Sequence, residues 1–554
     1  MTSYHLDFFN RFTTYDHPRR QLAWILLFFA ALMLLASIGV ADFNTKGEPR
    51  EVVVAHSMLE SGNWILPVDS SGDIAYKPPM FHWLVAAFCW LFGSMSEFAC
   101  RLPSALALVA LTVMTFCFYA PRHSRDGSDC RAAIFTALLT LTAFECYRAG
   151  TNCRVDMVLT AFMCGAMMSM CKALTSKPLM FYLLAALCMS GAALTKGPVG
   201  ILLPLAVYWI YALLRGHNFF AVSLIALLLL VASSLLPALY YYEAWTQGGE
   251  RFYTLAMEEN FGRLMGTMSY ESHVNPWWYN ITSLLAGWLP WSAFVIFTAI
   301  WAFFRRKKYP SLPDALETPL GFFARIRMMD PQRLFSLVAI IVIFVFYTIP
   351  QSKRSVYLLP MYPFMACLIT VYVQWLMRRF GLRFGAVSGI MLAVCVIYPI
   401  IYGIVFPMVV NRHSDREIAL NVNRYVPEGQ SVYTFIPDRF LRYYITDHYL
   451  GYRMKPLLPS GQTSGSNSVP DANDIMMPAQ KVFFVAVSEN VWNATRKPLG
   501  LDSYDKKSDY GFHAWLDAHS LQADSLYTSE HKTHDVRGKL VLLRVHPDNQ
   551  KSEK

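Results

Sequence analysis

Long apolar runs are the sequence feature that most restricts how this chain can fold. About eleven runs are long enough to cross a hydrocarbon layer roughly 30 Å thick, because an α-helix rises about 1.5 Å per residue. The predicted spans cover residues 22–41, 104–120, 132–148, 155–174, 179–194, 200–215, 219–241, 278–303, 334–349, 356–377 and 385–411. With 55% hydrophobic and 16% charged residues, the composition excludes a soluble enzyme with one anchor. The chain is predicted to be a polytopic α-helical membrane protein with about 11 to 13 transmembrane helices.

Basic residues predict how the spans are oriented. The apolar segment from Met80 to Phe92 is only about 13 residues long, a length that suits an interfacial or re-entrant helix. If it does not cross, the basic segments all fall on one side, which the positive-inside rule makes cytoplasmic. These segments are 1–21, 121–131, Lys172 with Lys177, Arg215, 304–333 and 378–384. We therefore expect a cytoplasmic N-terminus and an extracytoplasmic tail after Val410.

Cysteine usage and net charge bear on the compartment and the partners. All 11 cysteines lie between Cys89 and Cys395, in or beside apolar segments, so the exported parts have no disulfide framework. This favours the inner (plasma) membrane of a bacterium, crossed many times. The net charge of +10 is explained mostly by the cytoplasmic loops, so no nucleic-acid partner is expected.

The first outer loop, residues 42–79, combines carboxylates with a lysine. An acidic cluster of Asp42, Glu48 and Glu51 stands at its start, and Lys77 stands at its end. The residues between them alternate apolar and polar positions in a way that predicts an amphipathic helix on the membrane surface. Two prolines follow Lys77 and hold it rigidly before the re-entrant helix. The loop is therefore expected to bring carboxylates and a cation together at the lipid boundary.

Every predicted outer turn also carries a cation. These residues are Arg148, Arg154 beside Asp156, Lys196, Arg263 in the 242–277 loop, and Lys353 with Arg354. Two interpretations stay open: interfacial charges that reach toward water, or side chains that converge on one anionic group. The recurrence at each outer turn favours convergence. For single residues, Asp156 could instead be a helix N-cap, Lys196 a turn marker and Arg263 an interfacial charge.

A series of motifs then resembles one known family. The motifs are Glu48-Pro49-Arg50, Met58 to Pro67, Lys77-Pro78-Pro79 with His82-Trp83, Glu97 to Ala105, Val155-Asp156, Leu194 to Pro198, Glu259 to Arg263, Pro276 to Tyr279, Gly287 to Trp291, and Ser352-Lys353 through Tyr357 to Pro360. In this order, over roughly residues 20 to 380, they resemble the GT-C membrane glycosyltransferases. The branch is the one with the lipid A aminoarabinose transferase and the dolichyl-phosphate-mannose protein mannosyltransferases.

The resemblance implies a GT-C fold and a glycosyltransferase. The implied reaction transfers one monosaccharide from a polyprenyl-phosphate donor to a lipid A-type glycolipid, a glycan or a protein hydroxyl at the outer face, with inversion. Membrane lipids are the surrounding partner. Such chemistry needs a carboxylate to take a proton and cations to hold the departing phosphate. The candidate catalytic residues are Glu48, Asp42 and Asp156, and the candidate substrate-binding residues are Arg50, Tyr76, Lys77, Lys196, Arg263, Lys353 and Tyr357.

The chain departs from the family pattern at two positions. Gly47 stands where relatives have an acid, so the base is either Glu48 or Asp42. We favour Glu48, because Pro49 should hold it in an extended backbone conformation away from the following helix. Tyr76 stands where relatives have a carboxylate that can bind a metal. We therefore predict no metal site, although the acid pair at 258–259 leaves carboxylate oxygens for a divalent cation.

Residues 412–554 are predicted to form a separate extracytoplasmic α/β domain after the transmembrane domain of residues 1–411. Strands are predicted at 431–436, 481–487 and 539–545, and helices near 415–425, 437–447 and 511–519. This domain is expected to contact the acceptor or to add stability.

The competing class is a transporter or flippase of polyprenyl-linked sugars that performs no covalent chemistry. Transporters tend to place charges near the membrane midplane. Here the charges stand at the ends of spans on one side, which favours an enzyme. Four tryptophans near residues 277–291 are interpreted as an interfacial belt.

Overall fold

The computed structural model describes residues 18–68, 74–75, 77–120, 128–176, 179–262, 274–305, 326–435, 442–457, 475–494, 511–536 and 538–548. The chain divides into two compact units. The first unit comprises Met1–Ile38, Tyr76–Leu84 and Arg101–Gly403, and the second comprises Gly39–Ala75, Val85–Cys100 and Ile404–Lys554. The boundary predicted between residues 411 and 412 stays a prediction.

Helices are the main elements of the described residues as far as position 425. In order they are α1 (Pro18–Ser37), α2 (Pro49–Ser61), α3 (Met80–Phe92), α4 (Glu97–Tyr119), α5 (Ser128–Thr142), α6 (Phe144–Gly150), α7 (Val155–Ser176), α8 (Leu179–Lys196), α9 (Val199–Leu214), α10 (Phe219–Met257), α11 (Tyr279–Gly287), α12 (Trp291–Arg305), α13 (Pro331–Thr348), α14 (Tyr362–Phe380), α15 (Phe384–Ile400), α16 (Phe406–Val410) and α17 (Asp415–Tyr425). A π-helical turn, Glu258–Gly262, follows α10, and a 3-10 helix, Ser355–Met361, precedes α14.

The predicted polytopic helical fold is confirmed. Among the described residues, eight helices are long and apolar enough to cross a membrane, or up to ten if each of two bent pairs forms one span. Two shorter apolar helices, α3 and α9, accompany them. This set of helices agrees with the predicted multi-pass membrane protein.

Two of the predicted spans, over 132–148 and 278–303, are bent pairs of helices and not continuous helices. Helices α5 and α6 bend by 65°, and α11 and α12 bend by 95°. Pro290 explains the second break, because proline cannot donate the helical hydrogen bond. The breaks meet: the Phe144 backbone N–H donates to the Leu289 carbonyl at 3.0 Å, and the Tyr398 hydroxyl donates to the same oxygen at 2.9 Å. These bonds satisfy backbone groups that lipid could not.

The second break also corrects the predicted aromatic belt. Trp288 and Trp291 are only 2% and 1% exposed. The Trp288 ring stacks on Tyr362 at a centroid distance of 4.9 Å, and the Trp291 indole N–H donates to the Thr142 hydroxyl at 3.0 Å. Packing inside the bundle therefore holds these two rings, whereas Trp277 and Trp278 are exposed.

Small residues let helices α7 and α8 pack closely. A Cβ atom at Gly191 would lie 2.8 Å from the Phe162 ring, and one at Gly165 would lie 3.2 Å from the Cys188 sulfur. Buried small residues allow backbones in membrane proteins to approach each other. Because α7 and α8 follow one another through a short connection, the start of α7 lies beside the end of α8.

The C-terminal domain, defined here as Asp415–Pro547, contains a five-stranded mixed sheet. Its strands are β1 (Val432–Thr434), β2 (Met454–Pro456), β3 (Phe483–Ser488), β4 (Leu521–Thr528) and β5 (Leu540–Pro547), and its further helices are α18 (Tyr444–Tyr449), α19 (Glu489–Trp492) and α20 (Phe512–Ala518). The strand order is β2-β1-β3-β5-β4. Strand β1 is parallel to both β2 and β3, while β5 is antiparallel to β3 and β4.

Both faces of this sheet are covered. Residues Phe483, Val485 and Val487 of β3 pack on one face with α20, and the alternate residues Phe484 and Ala486 pack on the other with α17 and α18. A strand that is buried on both sides reads as a nearly continuous apolar run, as β3 does from Phe483 to Val487. The predicted α/β domain is confirmed, although β2 and β4 were not predicted and residues 437–441 of the helix predicted at 437–447 lie outside the described residues.

Candidate functional site

The ends of α7 and α8 bring together a carboxylate and several cations. The Lys196 ammonium donates to the Asp156 carboxylate at 2.6 Å, and the Arg154 guanidinium lies 3.8 Å from the other carboxylate oxygen. The Asp156 side chain is 5% exposed, whereas the side chains of Lys196 and Arg154 are about one-fifth exposed. The carboxylate is therefore enclosed, and both cations keep an open side.

Local structure explains why these residue types stand here. Asp156 lies in the first turn of α7, and Lys196 lies in the last turn of α8. A helix stabilises an anion at its N-terminus and a cation at its C-terminus. Asp156 is the second residue of its helix, so it is not the N-cap. Its side chain binds Lys196 instead.

Two more predicted residues join this group. The Lys196 ammonium sits over the Tyr357 ring at 4.5 Å, and Tyr357 in turn contacts the Tyr347 ring at 5.3 Å. Lys77 is near enough for its charge to stabilise the Asp156 carboxylate. Two cations thus lie within 4 Å of one carboxylate, and Lys77 adds a third positive charge to the group. The group carries a net positive charge and can bind an anion such as a phosphate.

A glycine turn shapes the lysine end of the group. Gly197 has a φ of +82°, a conformation that favours glycine, and a Cβ atom there would lie 2.0 Å from the Asn260 side-chain oxygen. The Asn260 amide also donates to the Tyr241 hydroxyl at 3.2 Å and to the Ala256 carbonyl at 2.8 Å. The Thr-Lys-Gly-Pro motif is therefore a close packing contact as well as a turn.

Lys353 occupies a different environment from the one expected of a phosphate ligand. It is 5% exposed, and its ammonium donates to the carbonyls of Pro350 and Asn275 at 2.6 and 3.2 Å. These bonds hold the loop before the 3-10 helix against the chain near Asn275. A backbone hydrogen bond from the Asn275 amide to the Gln351 carbonyl joins the same two segments.

A second charged group was not predicted. The Arg148 guanidinium forms two bonds to the Glu145 carboxylate, at 2.9 and 2.6 Å, and the Ser355 hydroxyl donates to the same carboxylate at 2.8 Å. Glu145 is 3% exposed. The sequence contained a signal for this pair. Glu145 is an ionisable residue inside the predicted span 132–148, and Arg148, three positions later, lies on the same helix face.

The second unit contains the two candidate bases. Glu48 precedes α2 and is 1% exposed, and Arg50 lies 3.7 Å from Glu51. The backbone at Glu48 is helical, with φ −79° and ψ −59°, so the predicted extended conformation is wrong. Its amide donates to the Thr45 carbonyl at 3.1 Å, which starts the helix one residue before the proline.

Asp42 has a binding partner that the sequence did not indicate. Its carboxylate accepts from Arg416 at 2.9 Å, and Arg416 also binds Glu97. The arginine therefore links the first loop to residues 97 and 416 of the same unit.

Tyr76 and Arg263 lie outside the described residues. Within the ranges that the structure covers, no group of three or more His, Cys, Asp or Glu side chains could hold a metal ion.

The family comparisons follow this geometry. Residues 76–241 match the family model described as dolichyl-phosphate-mannose-protein mannosyltransferase. The undecaprenyl phosphate-alpha-4-amino-4-deoxy-L-arabinose arabinosyl transferase of Shewanella sediminis is 27% identical over 390 residues, which is 67% of this chain and 64% of that protein. The enzyme of the same name from Edwardsiella ictaluri is 27% identical over 343 residues, which is 59% of this chain and 55% of that protein. The chain thus aligns with less than two thirds of the length of either relative.

The solved structures decide the fold. ArnT from Cupriavidus metallidurans bound to undecaprenyl phosphate matches with a TM-score of 0.67 at 18% identity, over 94% of this chain and 98% of that one. The apo form of that protein matches with a TM-score of 0.66. The chain has the GT-C fold. The GT-C fold predicted from the motifs is thereby confirmed, and the match covers 94% of this chain.

Proposed function

We propose that this GT-C protein transfers a monosaccharide from a polyprenyl-phosphate donor to a hydroxyl of a lipid A-type glycolipid, a glycan or a protein. The observation that carries the proposal is the cation group of Lys196, Arg154 and Lys77 around Asp156. A net positive group at the ends of spans suits the phosphate of a lipid-linked sugar. The fold shared with ArnT, whose structure contains undecaprenyl phosphate, supports this choice of donor.

In the proposed reaction, the acceptor oxygen forms a bond to the anomeric carbon of the sugar as the bond from that carbon to the phosphate oxygen breaks. The acceptor proton passes to a carboxylate. The polyprenyl phosphate leaves, and the cations stabilise the charge that develops on it. Lys196 is the proposed phosphate ligand. The Tyr357 ring, which packs against its ammonium, limits the movement of the lysine side chain. Asp156 is the proposed positioning residue, because its carboxylate binds the lysine and is enclosed.

We assign the base to Glu48 and not to Asp42. The Asp42 carboxylate is held in an ion pair with Arg416, which occupies the oxygen that would accept a proton. Glu48 lies immediately before α2, in the Glu-Pro-Arg motif that resembles the family's, one position after Gly47. Replacement of Glu48 by Gln keeps the shape of the side chain but removes its basicity, so turnover should fall by about 10² or more.

The assay is transfer by the purified protein in nanodiscs, with undecaprenyl-phosphate-linked aminoarabinose as the donor and lipid A as the acceptor, read by mass spectrometry. Glu48→Gln should lose transfer and keep its dissociation constant for undecaprenyl phosphate. Asp42→Asn is the matched control, and its loss should be much smaller. A severe Asp42→Asn defect beside a mild Glu48→Gln defect would reverse the assignment. Wild-type protein that moves the donor across the bilayer without forming a product would favour a flippase.

We further propose that the N-terminus is cytoplasmic and that the C-terminal domain is periplasmic. The support is the segregation of basic loops to one side of the predicted spans. A membrane-impermeant thiol reagent should label Asp524→Cys in intact spheroplasts and His217→Cys only after permeabilisation. Both positions are exposed, and the unmodified protein measures the background from the native cysteines. The opposite pattern would invert the orientation.

A further inference from the structure

Arg416 of the C-terminal domain joins the first loop to the start of α4. Its guanidinium binds the Asp42 carboxylate at 2.9 Å and the Glu97 carboxylate, and it lies over the Tyr449 ring at 4.8 Å. Asp42 and Glu97 are 8% and 7% exposed. One arginine therefore neutralises two enclosed acids from two separate segments of the second unit. Without it, two carboxylates of like charge would remain close together.

Tyr449 makes a second polar link in the same place. Its hydroxyl donates to the Glu97 carboxylate at 2.7 Å and accepts the Phe43 backbone N–H at 2.8 Å. Burial, and then the charges of Glu97 and Asp42, raise the pKa of this phenol far above its ordinary value, so it remains a donor. Asn411 completes the link, since its side-chain oxygen accepts the Asp42 amide at 2.9 Å. The backbone at residues 42–43 is thus held by two side chains, those of Asn411 and Tyr449, while Arg416 holds the Asp42 carboxylate.

A third link reaches α2 itself. His56, in the second turn of α2, stacks on Tyr452 at a centroid distance of 3.8 Å, and the Tyr452 hydroxyl bonds to His448 Nδ1 at 2.7 Å. The His448 ring in turn packs on Phe43 at 4.9 Å, and Phe43 is fully buried. Burial lowers the pKa of His56, so a neutral ring takes part in the stack at pH 7.

Tyr452 adopts a backbone conformation that a bulky residue rarely takes. Its φ is +59°, in the left-handed region. Such a conformation persists only where surrounding contacts outweigh its cost, and it is more common at functional positions. The contacts here are the stack on His56, the bond to His448, and a backbone bond from the Tyr452 amide to the Asp447 carbonyl at 2.8 Å. The strain therefore serves the contact with α2.

From these contacts we infer that Arg416, Tyr449 and Tyr452 of the C-terminal domain are positioning residues for the proposed base. They hold the chain at residues 42–43 and at His56, which lie on either side of Glu48 in sequence. A segment that is fixed on both sides keeps the residues between those points in place, and Glu48 is one of them. A misplacement of a catalytic group by about 1 Å can lower the rate by roughly 10². The inference rests on the proposed function of Glu48 and gives the C-terminal domain a part in transfer.

The test combines two positioning variants with two matched controls. Arg416→Gln removes the central cation, and Arg424→Gln removes an exposed arginine from the same helix, α17. Tyr452→Ala removes the stack on α2, and Tyr425→Ala removes a ring that stacks on Tyr527 inside the domain. Hydrogen exchange across residues 40–61 and steady-state transfer kinetics are measured for all four proteins.

Arg416→Gln and Tyr452→Ala should each exchange faster at residues 40–61 and lose about tenfold or more in kcat, with an unchanged dissociation constant for undecaprenyl phosphate. Arg416→Lys should recover part of the loss, since it keeps the charge but not the planar fork. Asp42→Asn combined with Arg416→Gln should cost no more than the larger single change, because both remove one link.

Exchange at residues 40–61 that matches the wild type in both positioning variants would overturn the inference, as would equal changes in the two controls. If Arg416→Gln does not fold, Tyr452→Ala decides. If the wild-type protein transfers no sugar, the proposed function fails, whereas hydrogen exchange still shows whether these residues hold α2.

Discussion

Replacement of Lys196 by Ala tests the cation group most directly. The ammonium contacts the Asp156 carboxylate at 2.6 Å and has one-fifth of its side chain exposed, so in the proposed complex it reaches a phosphate from its open side. Loss of a charge-assisted hydrogen bond of this kind costs about 1.5–3 kcal/mol. Since about 1.4 kcal/mol corresponds to a factor of ten, the affinity for undecaprenyl phosphate should fall about tenfold to 150-fold.

The partner of the lysine predicts an ordering of variants. Asp156→Asn should change the affinity by no more than a few-fold, on the order of 1 kcal/mol or less, because the group then carries one more positive charge. The same substitution should lower kcat, since the lysine loses the contact that positions it. Lys196→Ala should therefore weaken donor binding far more than Asp156→Asn does.

Lys172→Ala is the matched control. Lys172 lies on α7, about 24 Å along the helix from Asp156. Its ammonium donates a hydrogen bond to the Cys117 carbonyl at 3.1 Å, so this variant also removes a lysine that has a polar partner. Binding is measured by native mass spectrometry or thermophoresis of purified protein with undecaprenyl phosphate. An affinity of Lys196→Ala equal to that of the wild type, or a loss matched by Lys172→Ala, would refute the role of this lysine as a phosphate ligand.

Three further predictions address the turn, the C-terminal domain and metal dependence. Gly197→Ala should lower the melting temperature more than Gly381→Ala does, because both positions have positive φ but only Gly197 faces Asn260; equal shifts in the two purified variants would contradict this. Burial raises the pKa of Asp447 to about 7, so its protonated form stabilises the fold at low pH and that contribution is lost as the pH rises through about 7. The melting temperature of Asp447→Asn, relative to that of the wild type, should therefore rise between pH 5 and pH 8 in scanning fluorimetry. A difference between the two proteins that does not change with pH would refute the assignment. Transfer should survive EDTA because three cations can already hold the phosphate; a loss that Mg²⁺ restores would instead indicate a cation site.

The sequence predicted those parts of the protein that depend on local pattern. Apolar runs of sufficient length require helices in a bilayer, and a strand with apolar residues at every position requires cover on both faces. Because these elements follow from local apolar runs, the limits of α3, β1, β3 and β5 lie within about two residues of the predicted ones. Asp156 and Lys196 could each be named as candidate site residues from the sequence, because each stands beside a motif glycine or cation, but their contact with each other could not be predicted.

Other features depended on contacts between residues far apart in the chain. The bend at Phe144 is stable because the Leu289 carbonyl accepts its amide, and no local pattern contains that partner. Glu48 takes a helical conformation because a turn at Thr45 starts α2 early, which outweighs the ordinary restriction before proline.

The same distinction applies to the candidate site. Residue type and position determined which acids and cations could act, because a carboxylate in a first turn and a lysine in a last turn are visible in the sequence. Tertiary structure alone decided that Lys353 binds backbone carbonyls and that Asp42 binds Arg416, 374 positions later in the chain. The physical reason is that a charge pairs with whichever opposite charge or carbonyl the fold brings within a few ångströms, and sequence separation does not limit that distance.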